Sequence, residues 1–227
     1  MNILSFFKTV VGKKIIVAIT GLFMIMFLIM HLLGNLQIFS GPDAINQYAA
    51  LLKSMPKIVW SFRIALIMAV FAHISLTISL TNANKRARPE GYQVKQSRKA
   101  SFMSRTMMIS GLTVLAFIAY HLAHYTIGLV NPEYMQLTDA QGRHHVYNMM
   151  VMGFSNPVVS AFYIVAQLLL ASHVSHGISS ATRTLGLSDQ RLYLLIQKIG
   201  VIFAGIIAVL YISIPVSVLI GCIHLDY

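Results

Sequence analysis

Five apolar runs, each long enough to cross a lipid bilayer, constrain this chain more than any other feature of its sequence. They cover residues 15–33, 58–80, 106–130, 157–181 and 192–223. The hydrocarbon core of a bilayer requires about 20 apolar residues per helix, and only helices and closed barrels satisfy their backbone hydrogen bonds there. Because barrel strands alternate apolar and polar residues, these continuous runs exclude a barrel. The predicted fold class is all-α, a polytopic membrane protein with five transmembrane helices, the first four of which form a bundle.

The distribution of basic residues predicts the orientation of the helices. Although the formal net charge is +11, only 10% of the residues are charged, against 57% that are apolar. Thirteen of the 17 Lys and Arg residues lie in or beside segments 1–14, 81–105 and 182–191, which share one side of a membrane that is crossed five times. Since basic loops stay in the cytoplasm, the N-terminus is predicted to be cytoplasmic. The basic residues therefore orient a single transmembrane domain, residues 1–227. Because this role explains the positive charge, nucleic acid is not expected as a partner.

Segments outside the apolar runs carry structural signals of their own. Residues 1–14 place apolar side chains at helical spacing, which predicts a short helix at the membrane surface. Gly41-Pro42-Asp43 is a turn signal that can also start a helix, and apolar residues at helical spacing follow it. Residues 131–156 are predicted to form a polar outer loop. The histidines at this outer edge are expected to be solvated, namely His144, His145 and His224.

Histidines recur inside four of the apolar runs, where an ionisable side chain is costly and usually faces a partner, a cavity or a cofactor. Counting from the nearest inner basic residue gives each histidine a depth, because a helix rises about 1.5 Å per residue. His31 lies 17 residues beyond Lys14, and His121 lies 16 residues beyond Arg105. These two histidines are therefore matched in depth, towards the outer side.

A second pair is matched nearer the cytoplasm. His73 lies 12 residues before the next basic segment, and His173 lies 10 residues before Arg183. In an up-down-up-down bundle the helices of each pair run parallel and lie diagonally opposite. Two imidazoles facing across the bundle can ligate the iron of a haem b from both sides. The pattern thus predicts two haems, an outer one held by His31 and His121 and an inner one held by His73 and His173.

Two further histidines compete for these roles. His124 and His176 share a helical face with His121 and His173 at a spacing of three residues, so either can replace its neighbour as a ligand. The depths of His124 and His176 match those of His31 and His73 less well than the depths of His121 and His173 do. This difference favours a role for them beside the haem and not as ligands. A membrane histidine can also merely bond a neighbouring hydroxyl. The single cysteine, Cys222, cannot form a disulfide within the chain and is expected to fill apolar space.

The order of these residues resembles one family. The features are Thr20-Gly21-Leu22 leading to His31-Leu32-Leu33-Gly34-Asn35, then Gly41-Pro42-Asp43-Ala44, and Phe162-Tyr163-Ile164-Val165 before His173. Successive candidate ligands are separated by 42, 48 and 52 residues. Across nearly the whole chain, this combination resembles the cytochrome b subunit of succinate:quinone oxidoreductases, in the five-helix, two-haem b558 family that includes fumarate reductase anchors.

The resemblance implies the same haem ligands, His31 and His121 outside and His73 and His173 inside. It also implies two partner subunits on the cytoplasmic face, an iron–sulfur subunit docked on this chain and a flavoprotein subunit carrying FAD bound to the iron–sulfur subunit. Electrons would pass through both haems to a membrane quinone, which is expected to be menaquinone. The chain would lie in a bacterial cell (inner) membrane, carry no catalytic residue and never touch succinate. Asp43 would be either a turn residue or a proton acceptor near an outer quinol.

Two alternatives stay open. The cytochrome b subunit of a membrane hydrogenase or formate dehydrogenase also holds two haems between helices, although the first outer segment argues against it. A haem-free transporter could use the histidines as a proton relay, and intramembrane acids or broken helices would favour that interpretation. However, all six acidic residues lie outside the apolar runs, and Pro215 is the one residue that suggests a kink.

Overall fold

The computed structural model describes residues 3–87, 102–187 and 189–226, and within them the chain is helical with no β-strand. The helices are α1 (Ile3–Lys8), α2 (Val10–Asn35), α3 (Pro42–Ser54), α4 (Pro56–Arg86), α5 (Phe102–Tyr125), α6 (Val146–Ser155), α7 (Pro157–Thr184) and α8 (Gln190–Leu219). Short 3-10 helices span Leu36–Ser40 and Pro132–Gln136. By length and composition, α2, α4, α5, α7 and α8 can each cross a membrane, which confirms the predicted all-α, five-span class.

Local chemistry sets where several of these helices begin. The Thr9 side chain accepts a hydrogen bond from the backbone N–H of Gly12 and so caps α2. Asn156 caps α7 in the same way, and Asp189 caps α8. Such side chains satisfy backbone donors that have no partner in the first turn. Proline opens α3, α4 and α7, at a position where a missing N–H costs nothing.

The helix ends differ from the predicted spans in several places. The third span was predicted to reach residue 130, but α5 ends at Tyr125, and Gly128, at φ 72°, lies in the turn that follows. A left-handed glycine commonly ends a helix because it has no Cβ to clash. The last helix likewise ends at Leu219 instead of residue 223. The amino-terminal segment divides into α1 and the start of α2, with Gly12 against the backbone of Phe6.

The long helices pack in a ring with one open side. Close packing joins α2 to α4 and α7, α5 to α7, and α7 to α8. No comparable packing joins α2 to α5, α4 to α7 or α4 to α5 in the described part of the chain. The helices α2 and α5 are therefore diagonal partners, as are α4 and α7, which agrees with the predicted bundle.

One end of the bundle is covered by a structure that we call the cap, formed by α3, residues 131–145 and α6. The helix that the sequence allows after Gly41-Pro42-Asp43 is α3. Residues 131–156, however, are not simply a polar loop. They contain α6, in which Tyr147, Met150 and Val151 are buried. These residues join the largest apolar core together with Phe117 of α5 and other side chains of α7 and α8. Under the predicted orientation, the cap faces the outside.

The rest of the surface suits lipid. On α4, Ile58, Ile67 and Phe71 are 65%, 65% and 73% exposed. The basic segment that carries much of the orientation signal, with Arg88, Lys95, Arg98 and Lys99, lies outside the described residues.

Candidate cofactor-binding site

The four histidines matched by depth come from four different helices of the ring. His31 lies on α2, His73 on α4, His121 on α5 and His173 on α7. The structure brings the outer pair together: the ring centroids of His31 and His121 are 5.7 Å apart, and the ring planes are 81° apart. A bond from a metal to an imidazole nitrogen is about 2 Å long, so two rings on opposite sides of one iron have centroids about 6 Å apart. The outer pair is close to that separation.

The inner pair is organised differently. Among the described residues, a ring contact joins His31 to His121, but none joins His73 to His173. Instead, each is held by the helix packed beside its own. Nδ1 of His73 lies 3.1 Å from the Val17 carbonyl oxygen and 3.3 Å from the Thr20 hydroxyl, both on α2. Nδ1 of His173 lies 3.2 Å from the Ser110 hydroxyl on α5.

A glycine follows each of these hydroxyl residues and faces the same imidazole. A Cβ built on Gly21 would lie 3.3 Å from Cε1 of His73, and one built on Gly111 would lie 3.3 Å from Cε1 of His173. Both distances are tighter than ordinary van der Waals contact. The two glycines therefore create the space that the inner rings occupy.

These contacts reveal a repetition along the chain that the sequence did not predict. Thr20-Gly21-Leu22 and Ser110-Gly111-Leu112 are followed by a histidine 11 residues after the hydroxyl, at His31 and His121. Each of α2 and α5 thus carries one outer histidine and one hydroxyl–glycine pair that holds an inner histidine. The equal spacing was visible in the sequence, but its meaning depends on which helix packs beside which.

Aromatic side chains surround the outer pair. Phe27 stacks on His31 with centroids 5.4 Å apart, and Phe117 lies 5.9 Å from His121. Tyr211 of α8 lies 6.4 Å from His31 and donates a hydrogen bond of 2.9 Å to the backbone carbonyl of Leu28. The outer rings therefore lie mainly among aromatic side chains, and of these two rings only that of His121 contacts a hydroxyl, the Tyr163 hydroxyl at 3.4 Å from Nδ1. Both inner rings contact a hydroxyl.

The competing histidines occupy other positions. His124 is 1% exposed, stacks on Tyr125 at 4.0 Å, and has Nδ1 3.1 Å from the Tyr163 hydroxyl. The ring that meets His31 is that of His121, so the geometry favours His121 as its partner. His176 is half-buried, and no hydrogen bond to its ring is seen within the described residues.

The residues fit a haem held by two histidines. Nδ1 is engaged in His73, His121 and His173, which leaves Nε2 available to an iron. A metal-bound histidine typically donates its other ring N–H to an oxygen, which fixes the ring and its tautomer. No protein hydrogen bond to Nε2 of any of the four is found in the described ranges. The diagonal placement, the free Nε2 atoms and the glycine-made spaces are the features such a group needs.

The cap contains a separate polar cluster. The Asp139 carboxylate accepts hydrogen bonds from the backbone N–H groups of Gln141 and Arg143 (3.0 and 2.8 Å), from Nε of Arg143 (2.7 Å) and from Asn46 (3.2 Å). The second branch of the Arg143 guanidinium donates to Asp43 at 2.7 Å. Asp43 lies in the first turn of α3, within the helix, and its other predicted role, as a proton acceptor, stays a prediction.

The charges of this cluster stabilise one another. Burial opposes ionisation of Asp139, but the hydrogen bonds from Arg143 and Gln141 outweigh it and hold the pKa of Asp139 below its ordinary value. The pKa of Arg143 is raised by its hydrogen bond to Asp43, which has the largest effect, and by its hydrogen bond to Asp139. The cluster ties α3 to residues 139–143.

The expectation that His145 is solvated was wrong. Its side chain is buried, caps α6 by accepting from the backbone N–H of Asn148 at 3.4 Å, and lies 3.2 Å from the side-chain nitrogen of Asn46. Its Nε2 is 3.6 Å from a carboxylate oxygen of Asp226 near the carboxyl end. The adjacent histidines His144 and His145 stand in a polar stretch, which did not indicate that one of them is buried. The burial of His145 depends on distant segments, α3 and the residues around Asp226.

The comparisons with known proteins add no relative: no family, no curated protein and no solved structure matches the chain.

Proposed function

We propose that this chain is the di-haem b membrane-anchor subunit of a succinate:quinone oxidoreductase, carrying electrons between an iron–sulfur subunit and a membrane quinone. The observation that carries the proposal is the pairing of histidines on diagonal helices. His31 and His121 meet at 5.7 Å, while His73 and His173 are each fixed through Nδ1 by a hydroxyl on the neighbouring helix. A proton relay would not require this arrangement.

In this function the chain's residues act as ligands, spacers and insulation. His31 and His121 would hold the outer haem, and His73 and His173 the inner one. When bound, the two haems supply one-electron carriers at two depths of the membrane. Thr20 and Ser110 orient the inner imidazoles, Gly21 and Gly111 leave room for them, and the apolar helices exclude water. A low-dielectric bundle with defined axial ligands tunes the potential of the carriers it holds.

The partners follow from the same proposal. An iron–sulfur subunit and a flavoprotein carrying FAD would dock at the cytoplasmic end, where the basic segments lie, and a quinone, with menaquinone as our proposal, would exchange electrons within the membrane. The membrane would be a bacterial inner membrane. The chain itself contributes no residue to succinate chemistry.

The decisive experiment is a reduced-minus-oxidised visible spectrum of the purified chain, with haem quantified per polypeptide. Two b-type haems per chain are expected. A stably folded protein that contains no haem would refute the proposal, and the haem-free transporter would then be the remaining alternative. Copurification of a flavoprotein together with an iron–sulfur protein separates a succinate:quinone oxidoreductase from the hydrogenase or formate dehydrogenase alternative, which would bring a different catalytic subunit.

A further inference from the structure

Tyr163 of α7 lies between two histidines of α5. Its side chain is 5% exposed, and its hydroxyl is 3.1 Å from Nδ1 of His124 and 3.4 Å from Nδ1 of His121. In the sequence, Tyr163 belongs to the run Phe162-Tyr163-Ile164-Val165, and that run alone indicates no role for its hydroxyl. The hydroxyl nevertheless touches both histidines of the His-x-x-His segment of α5.

The chemistry of ligation sets the direction of these hydrogen bonds, and this step rests on the proposed function. If Nε2 of His121 binds an iron, the neutral ring carries its proton on Nδ1 and must donate to the Tyr163 oxygen. The single hydroxyl proton of Tyr163 is then free to be donated to Nδ1 of His124. His124 therefore acts as an acceptor through Nδ1.

The surroundings of His124 hold it in that role. It is 1% exposed and lies within an aromatic cluster, with ring centroids 4.0 Å from Tyr125, 5.4 Å from Tyr120 and 5.9 Å from Tyr134. A buried imidazole requires a hydrogen-bond partner, and Tyr163 supplies it. The three groups form a chain from His121 through Tyr163 to His124.

The comparison with the inner pair shows what Tyr163 contributes. Both inner histidines have Nδ1 held by a hydroxyl of an adjacent helix. In the outer pair, Nδ1 of His121 is held by the Tyr163 hydroxyl. The ring of His31 stacks on Phe27, and no residue in the described part of the chain makes a hydrogen bond to it. Tyr163 is thus the outer counterpart of Thr20 and Ser110.

We propose that Tyr163 is the positioning residue of the outer haem site, orienting His121 through Nδ1 while His124 anchors its hydroxyl. An oxygen that accepts from Nδ1 makes the imidazole a more basic ligand, which favours the oxidised iron. Losing this acceptor raises the midpoint potential of the outer haem and leaves the inner one unchanged.

The test compares Tyr163→Phe with Tyr120→Phe in the purified full-length protein. Tyr120 belongs to the same ring cluster, 6.1 Å from Tyr163, but makes no hydrogen bond to either histidine in the described chain, so it is a matched control. Haem content, both midpoint potentials and the low-temperature EPR signals of the ferric haems are measured. The haem lost in His121→Ala identifies the outer one.

The expected result for Tyr163→Phe is a raised potential or loss of the outer haem only, with wild-type values in Tyr120→Phe. His124→Phe keeps the stacking on Tyr125 but removes the acceptor, and it should shift the same haem in the same direction by a smaller amount. If Tyr163→Phe does not fold, the result for His124→Phe decides.

Wild-type potentials and EPR signals for both haems in Tyr163→Phe would overturn the inference, and so would equal shifts in Tyr163→Phe and Tyr120→Phe. In either case two haems in the wild-type protein would leave the proposed function standing. A wild-type protein that binds no haem would instead refute the proposed function itself.

Discussion

The hydroxyl of Ser110 on α5 lies 3.2 Å from Nδ1 of His173 on α7. The same relation, at 3.3 Å, joins Thr20 on α2 to His73 on α4. Two helix pairs that are far apart in the chain therefore hold an imidazole with one local arrangement, a hydroxyl followed by glycine. Because this arrangement fixes Nδ1, it leaves Nε2 of both rings for a ligand in the bundle.

The pairing of ligands can be checked by deleting one imidazole at a time. Under the proposed function each haem requires both of its axial ligands, so His73→Ala and His173→Ala should each remove the inner haem and spare the outer one. His31→Ala and His121→Ala should do the reverse. The measurement is haem per chain together with redox titration. If His73→Ala and His121→Ala removed the same haem, the pairing would be wrong.

Space beside the inner histidines should be as important as the ligands. Gly111→Leu introduces a side chain whose Cβ lies 3.3 Å from Cε1 of His173, so the ring must move. Overpacking of this kind typically costs about 1–3 kcal/mol. We expect loss of the inner haem and a lower melting temperature in detergent. Gly205→Leu on α8 is the control, because nothing lies within 4 Å of a Cβ there; equal effects of the two variants would contradict the prediction.

The cap should depend more on Asp139 than on Asp43. The Asp139 side chain is 5% exposed and accepts from several donors, whereas the Asp43 side chain is 77% exposed and has one ion-pair partner. Exposed ion pairs contribute little to stability. Thermal unfolding in detergent should therefore show a clear decrease in melting temperature for Asp139→Asn and little change for Asp43→Asn. The reverse order would show that the exposed pair holds the cap.

The stability of the cap should also decrease in acid. Because the pKa of Asp139 in the folded protein is below its ordinary value of about 3.9, the unfolded chain binds more protons in this range, and stability rises with pH. The contribution is complete above about pH 5 and is lost as the pH falls through the lowered pKa. Melting temperatures measured from pH 7 to pH 3 should decrease less steeply in Asp139→Asn than in the wild type. Parallel curves would exclude Asp139 as the cause.

The single native cysteine offers a test of orientation. The expectation that Cys222 fills apolar space was wrong, because its side chain is exposed after the end of α8. If the N-terminus is cytoplasmic, as predicted, five crossings put Cys222 outside. A membrane-impermeant maleimide should label Cys222 in intact cells. Leu187→Cys in a Cys222→Ser background reports the other side, since Leu187 is 44% exposed in the turn between α7 and α8, and it should react only after permeabilisation. The opposite labelling pattern would invert the topology.

Some of the candidate site could be predicted from residues alone. Counting along the helices paired His31 with His121, and the structure brings these rings together at 5.7 Å. Counting works because a membrane helix has a constant rise and the basic residues mark one surface. It could not identify Thr20 or Tyr163 as partners of the histidines. Hydroxyl groups are common in membrane helices, and their role depends on the helix that faces them.

The sequence by itself determined the five helices that are long and apolar enough to cross a membrane, their prolines and caps, and the position of each histidine along its helix. Each of these follows from hydrophobicity or hydrogen bonding within a few turns of one helix. Only the tertiary structure decided which helices are neighbours. The packing of these neighbours in turn decided that α6 and His145 are buried and which side chains contact the imidazoles. The ten residues of α6 are too few to cross a bilayer, so their apolar side chains carried no membrane signal. They are buried because α5, α7 and α8 pack against them, a relation between distant segments that no local pattern contains.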